Sequence, residues 1–132
     1  MITAIDTSVL YLIARQEPGW ERWAKALCKA AQEGPLVVCC VVFGEWASFY
    51  ESHHLAMEHL RALNIHYDPI LPTTAAMAHR KRLDFAHLPR SAKSHFANRL
   101  IAAHAEWQAN RLAVATLTDP RSLFDCHDFL YP

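Results

Sequence analysis

Glycine is scarce in this chain, three in 132 residues, and net charge is absent, with 13 Lys and Arg set against 13 Asp and Glu. Little glycine beside 52% apolar residues excludes a fibrous or disordered chain and leaves an ordinary compact globule. The neutral balance removes the argument that an overall basic chain makes for a nucleic-acid partner, so local charge has to carry it. No apolar run approaches the roughly 20 residues that span a bilayer. The first ten residues carry an acid on a strand rather than a charged region, an apolar region and a cleavage site. A cytoplasmic protein is expected. Cys28, Cys39, Cys40 and Cys126 show neither C-x-x-C spacing nor a paired Cys/His pattern, which excludes a disulfide framework and a zinc site and predicts buried thiols. Repeats and linkers are missing too, and the length is close to the commonest domain size, so one domain over residues 1–132 is expected.

What is present alternates. Ile2 to Ile5 reads as a strand, Val9 to Ala14 as a short helix, and Trp20 to Ala31 as a second helix whose Trp20, Trp23, Ala24, Leu27 and Ala31 mark one buried face. Leu36 to Cys40 is wholly apolar, as a central parallel strand should be. Helices follow over 41–50 and 54–63, then a brief strand over 65–67. Pro69 and Pro72 frame a turn, and Thr73 or Thr74 is placed to cap a helix from Ala75 to about Phe85. Residues 87–95 read as a basic exposed loop, Phe96 to Ala105 as a helix, and Leu112 to Leu117 as another buried strand. Strands alternating with helices predict a mostly parallel sheet of four or five strands in a three-layer α/β/α sandwich.

Acids recur where strands stop. Asp6 ends the first strand, and in open α/β sheets that edge holds the ligand crevice. Asp, Thr and Ser also cap helices, so the cap reading of Asp6 stands beside the functional one. Glu45 is the one carboxylate in the strongly hydrophobic stretch Val41 to Tyr50. It is either a partner of the helix dipole or a functional group, and the cost of burying an unpaired charge favours function. Asp119 follows the late strand and precedes Pro120, where it serves equally as a turn residue. None of the nine histidines forms a helical H-x-x-x-H pair with a third ligand. His104, six residues past Asn98, is turned about 600° from it, whereas His95, three residues before, shares its face.

In order and spacing, Ile5-Asp6-Thr7-Ser8, Val41-Val42-Phe43-Gly44-Glu45, Asn98-Arg99-Leu100-Ile101-Ala102-Ala103-His104-Ala105 and Ala115-Thr116-Leu117-Thr118-Asp119 with Phe124 resemble the PIN domain, in particular the small VapC-type ribonuclease toxins of bacterial toxin–antitoxin pairs. The resemblance spans nearly the whole chain. It implies a Mg²⁺- or Mn²⁺-dependent endoribonuclease whose acids converge on the metal, with Asp6 central and Glu45, Asn98 and Asp119 as further metal and catalytic positions. Hard cations of this kind take oxygen ligands and keep water, and a metal so held orients and deprotonates a water for in-line attack on a phosphodiester. Ser8, Thr116 and Thr118 would support the site. It also implies a homodimer and a small antitoxin that covers apolar surface and places a basic residue in the acidic site. Trp20, Trp23, Trp46, Phe49 and Tyr50 fit such interfaces or, equally, the core.

Two positions depart from the pattern. Asn98 stands where the family has an acid; an amide keeps one oxygen but loses the charge and cannot act as a base. Natural loss of function and an engineered Asp-to-Asn change both account for it, and the close local match around Asn98 favours the second. Asp119 lies three residues after Thr116, one more than the family's usual spacing. Arg80, Arg82, Arg90, Lys93 and Arg99 are the expected phosphate contacts, for single-stranded or looped RNA. The rival reading is a PIN-fold module without catalysis that binds RNA or a regulatory partner.

Overall fold

Three-residue strands form the centre of the molecule, and their side chains explain why the sheet is covered on both sides. Thr3, Ala4 and Ile5 of β1 (Thr3–Ile5) are all buried, as are Leu36, Val37 and Val38 of β2 (Leu36–Val38). Consecutive strand residues point to opposite faces, so neither face of these strands meets water. β3 (Ile65–Tyr67), β4 (Arg111–Ala113) and β5 (Phe129–Leu130) complete a five-stranded sheet in the order β3-β2-β1-β4-β5, every neighbouring pair parallel. The computed structural model describes residues 1–84, 96–116, 119–122 and 124–132, and of 80–84 and 122 the backbone alone.

Among these residues six α-helices accompany the strands: α1 (Thr7–Ala14), α2 (Trp20–Glu33), α3 (Cys40–Ala47), α4 (His53–Ala62), α5 (Pro72–Asp84) and α6 (Phe96–Gln108). The α/β/α sandwich with a mostly parallel sheet expected from the sequence is the observed architecture. Several details differ. Pro72 opens α5, where its fixed φ and missing N–H are at home, so Thr73 and Thr74 lie inside the first turn instead of capping it. α6 continues three residues past its expected end at Ala105. The late strand stops at Ala113 instead of Leu117, and β5 carries no periodic signal because it is only two residues long. The expected loop over 87–95, with Arg90, Lys93 and His95, lies outside the described residues. Cys39 and Cys126 are buried as expected, but Cys28 and Cys40 are exposed on helix surfaces. Burial pushes the Cys39 thiol up to about 11, which keeps it neutral. Among the described residues no helix is long and apolar enough to cross a membrane.

The sheet order fixes the working edge. From β1 the chain builds outward through β2 to β3, then crosses to the other side for β4 and β5. The direction of winding therefore reverses between β1 and β4, and the carboxyl ends of those two strands open a crevice there. α2 is followed by Gly34, which passes so close to the Met1 backbone that a Cβ would overlap the Met1 carbonyl. The chain is tied at this crossing by Met1 N–H to Glu33 O at 2.9 Å and Thr3 N–H to Pro35 O at 3.0 Å. Gly34→Ala is expected to force β1 away from β2 and to cost about 1–3 kcal/mol, read as a lowered midpoint in urea at unchanged m-value. An unaltered midpoint would refute this close approach.

Candidate acidic site at the switch point

Asp6 is the residue immediately after β1. Its backbone N–H donates to Ala113 O of β4 at 2.9 Å, so the residue is fixed at the reversal point from both sides. Its φ of −80° and ψ of 153° make it the N-cap of α1, and its Oδ2 accepts the Ser8 N–H at 3.0 Å. The cap reading is thus correct in geometry, yet it occupies one lone-pair direction of a carboxylate that has about four. Only 8% of Asp6 is exposed, and no cation pairs with it among the described residues.

Glu45 comes to the same place by a different route. α3 follows β2 as α1 follows β1, and the two helices pack against each other. Glu45 lies in the second turn of α3, and its backbone carbonyl accepts Tyr11 Oη at 2.7 Å and Ser48 Oγ at 2.6 Å. Partial desolvation of its carboxyl, together with the negative charge of Asp6, raises its pKa above the ordinary carboxylate value. The Thr7 hydroxyl faces this carboxyl and offsets part of the rise, although Thr7 Oγ1, itself buried, makes no hydrogen bond of good geometry among the described residues. A buried hydroxyl without a partner is uncommon, and this one belongs to the residue after Asp6 and faces the Glu45 carboxyl.

Asn98 is half-buried in the first turn of α6, a helix that packs on β1, β4 and α3. It therefore belongs to the helix seated on the elements that carry Asp6 and Glu45. Arg99, beside it, is 8% exposed, with its guanidinium 5.3 Å from the Phe96 ring centroid and its Nε without a partner among the described residues. Asp119 is placed differently from these. It is exposed, and Arg121 grips it through Nη2 at 2.7 Å and through Nε at 3.1 Å to each oxygen. The Arg121 N–H adds a bond at 3.0 Å, and these bonds hold the Asp119 carboxyl below its ordinary value. This is the turn role before Pro120, in a short 3-10 turn over Pro120–Ser122.

Ser8 Oγ accepts the Ala115 N–H at 3.0 Å and ties the residues after β4 to α1, a bond that leaves the hydroxyl proton to donate. Thr116 and Ser8 line an open groove of about 760 Å³ beside it. Thr118, Arg90 and Lys93 lie outside the described residues, and Arg80 and Arg82 are placed only by the backbone of α5. His104, set aside on helical geometry, is 1% exposed and bonds Asp68 Oδ2 through Nε2 at 2.8 Å. Gln108 Nε2 donates to the same oxygen at 3.2 Å, so Asp68, an acid just past β3 that escaped notice in the sequence, serves to pin α6 to the sheet edge. Of the large aromatics, Trp23 and Trp46 are core, while Phe49 is 62% exposed and stands edge-on to Tyr11 at 5.0 Å. A separate apolar groove of about 390 Å³ runs between α1 and α2, lined by Leu10, Ile13, Ala24, Leu27, Ala31 and Leu63 among others.

Among the described residues no three or more His, Cys, Asp or Glu converge as a metal cluster. Two carboxylates, a neighbouring hydroxyl without a partner and an amide on the adjoining helix make an oxygen-only donor set. That set fits Mg²⁺ or Mn²⁺, which bind through one or two carboxylates and retain water.

The raised Glu45 pKa has a definite sign. The folded protein holds the Glu45 proton to a higher pH than the unfolded chain does, so the ionised form costs stability at neutral pH and the cost disappears below the ordinary carboxylate value. Glu45→Gln is expected to raise the melting temperature in EDTA at pH 7, with the gain shrinking to nothing as the pH falls towards 4 (about the unfolded Glu value). A difference between the two proteins that does not vary with pH would refute the electrostatic account.

The sequence matches no protein-family model and no curated protein. Its structure is similar to a chain of the crystal structure of VapBC2 from Rickettsia felis bound to a DNA fragment from their promoter, with a TM-score of 0.69 and 13% identity over 98% of this chain and 97% of that one. At that identity the likeness is one of fold, and it extends from end to end.

Proposed function

We propose that this chain is a PIN-type endoribonuclease of the VapC kind, the toxin of a toxin–antitoxin pair, acting on RNA phosphodiesters at the Asp6–Glu45 site. The observation that carries this reading is the pairing of two like charges at the sheet's switch point, where the Asp6 charge helps to raise the Glu45 pKa and no cation relieves them among the described residues. Such an arrangement suits the binding of a divalent cation better than it suits folding. The full-length likeness of fold to a chain of VapBC2 supports it.

Asp6 and Glu45 would hold Mg²⁺ or Mn²⁺, with Asn98 offering a neutral oxygen. When bound, the ion supplies a water of lowered pKa and neutralises charge on the phosphate. The protein's own share is positional. Capping α1 fixes the Asp6 carboxylate, and the Tyr11 and Ser48 hydroxyls fix the Glu45 backbone. The partners that follow from this reading are an RNA substrate, a second copy of the chain, and an antitoxin with apolar residues to fill the groove between α1 and α2.

A second reading, a PIN-fold module that binds RNA or a partner without catalysis, is favoured by one observation: two of the four expected acidic positions contribute no free charge. Asn98 has none to give, and that of Asp119 is engaged by Arg121. One comparison separates the two. In Mg²⁺ or Mn²⁺, Asn98→Asp is expected to cleave a mixed RNA substrate at least about a hundredfold faster than the present chain, and EDTA is expected to abolish the gain. Added Mg²⁺ should also raise the melting temperature of Asn98→Asp and do so less for Glu45→Gln. Silence from both proteins, without a thermal shift, would overturn the nuclease and leave the binding module.

A further inference from the structure

The groove lined by Ser8 and Thr116 has neither Asp6 nor Glu45 in its wall, but it starts beside them, at Ser8, whose N–H bonds Asp6. It passes the connector between α1 and α2 to Arg22 and Tyr131, and these two residues also line a second cavity, of about 350 Å³, between α2 and the β4–β5 edge. Arg22, Lys25 and Lys29 reach this second cavity from one helix face at steps of three and four residues, a stretch of about 10 Å along the axis. All three are exposed, and none has an ion-pair partner among the described residues. The acid in the cavity wall, Glu33, is taken by Arg111 at 2.6 Å. Tyr131, 65% exposed, stands where the two cavities meet.

We infer that this connected groove is the path of a single-stranded RNA flank leaving the acidic site, with Arg22, Lys25 and Lys29 on its phosphates and the Tyr131 ring stacking a base. The inference rests on the nuclease reading for the point where the RNA enters. Its own ground is the juxtaposition of free cations and an exposed aromatic ring along two adjoining cavities, the combination by which proteins hold unpaired strands without reading their sequence. A duplex presents no free base face to Tyr131, whereas an unpaired strand does. Ser8 joins the two parts physically, because its N–H holds Asp6 and its side chain lines the head of the groove.

The test compares binding of two labelled unstructured RNAs, about four and about twelve nucleotides long, by fluorescence anisotropy in Mg²⁺ across a salt series. The proteins are the present chain, Lys25→Gln/Lys29→Gln and Tyr131→Ala. The longer RNA is expected to bind the lysine variant about tenfold more weakly, with the salt slope reduced by about 0.7 for each phosphate no longer neutralised. Tyr131→Ala is expected to weaken binding with the slope unchanged, and the short RNA should not distinguish the proteins. All three positions are exposed, so unchanged melting temperatures should accompany these effects. Equal binding of the longer RNA by all three proteins, or no binding by the present chain, would overturn the path. Cleavage by Asn98→Asp beside unaltered binding by the lysine variant removes the path and keeps the nuclease. The converse result, binding weakened in the lysine variant and no cleavage by any form, keeps the path and removes the nuclease.

Discussion

β1 is hydrogen-bonded on both edges, and the rest of the molecule is arranged about that fact. Thr3 and Ala4 pair with β2 on one side and all three residues with β4 on the other, and the chain entering and leaving it is tied to Pro35 and Ala113. A strand so enclosed cannot slip by one residue without turning buried Thr3, Ala4 and Ile5 to the wrong faces. Asp6 inherits this precision as the next residue in the chain. Its capping role then follows from its position: α1 must start there, the first N–H groups of α1 need an acceptor, and one carboxylate oxygen provides it. The competition between cap and functional residue dissolves, since the cap immobilises the carboxylate that a ligand would need to find in place.

The acids differ in what surrounds them, and that difference separates site from scaffold better than their location at strand ends. Asp6 is nearly buried, faces a second carboxylate and has no cation beside it among the described residues. Asp119 is held in water by a guanidinium, and Asp68 is engaged by His104 and Gln108. Charges paired as Asp119 is add little to stability and ask for no ligand. Glu45 is exposed, contrary to the burial expected from its apolar stretch, yet its partly desolvated carboxyl and the nearly buried Asp6 still repel each other. Arg99 complicates the picture, because a buried guanidinium whose Nε has no partner among the described residues lies on the same helix turn as Asn98. A cation next to the position where an acid is expected places positive charge beside the amide.

The fold was legible because its signals are local and the strands are apolar on both faces. Ile65 to Tyr67 is a strand to the residue, and the helix following each of the first two strands appears where the apolar pattern changes. Asp6 and Glu45 stood out as acids in apolar surroundings, Asp6 just after a strand and Glu45 within a helix. What escaped depends on contacts distant in sequence. Nothing near His104 announces Asp68, 36 residues earlier. Nothing near Asp119 shows that Arg121 will turn back on it rather than point away. The helical angle correctly separated His104 from Asn98, yet it was silent about what His104 would meet instead. Nothing near Ser8 shows that its Oγ accepts the N–H of Ala115, 107 residues on. Arg22, Lys25 and Lys29 did carry a readable signal, the same three- and four-residue spacing that marked the apolar face of α2. Charged faces of helices are usually only solvated, so that spacing gains meaning when a cavity is found against it.

Zero net charge therefore says less about this protein than its distribution. Arg121, Arg111 and Arg15 face Asp119, Glu33 and Glu17, an arrangement in which each cation is neutralised within about one side-chain length. Along α2 the pattern changes, and three cations in succession face a cavity whose acid is already engaged. A polyanion responds to such local potential, because the field of paired charges falls off within about a Debye length of roughly 8 Å in physiological salt. The same screening keeps the Asp6–Glu45 charges from repelling a strand that approaches along the cavity between α2 and the β4–β5 edge. An acidic centre and a polyanionic substrate are then compatible in a neutral protein, provided that the strand is held by cations at a distance and meets the carboxylates only where a divalent ion lies between them.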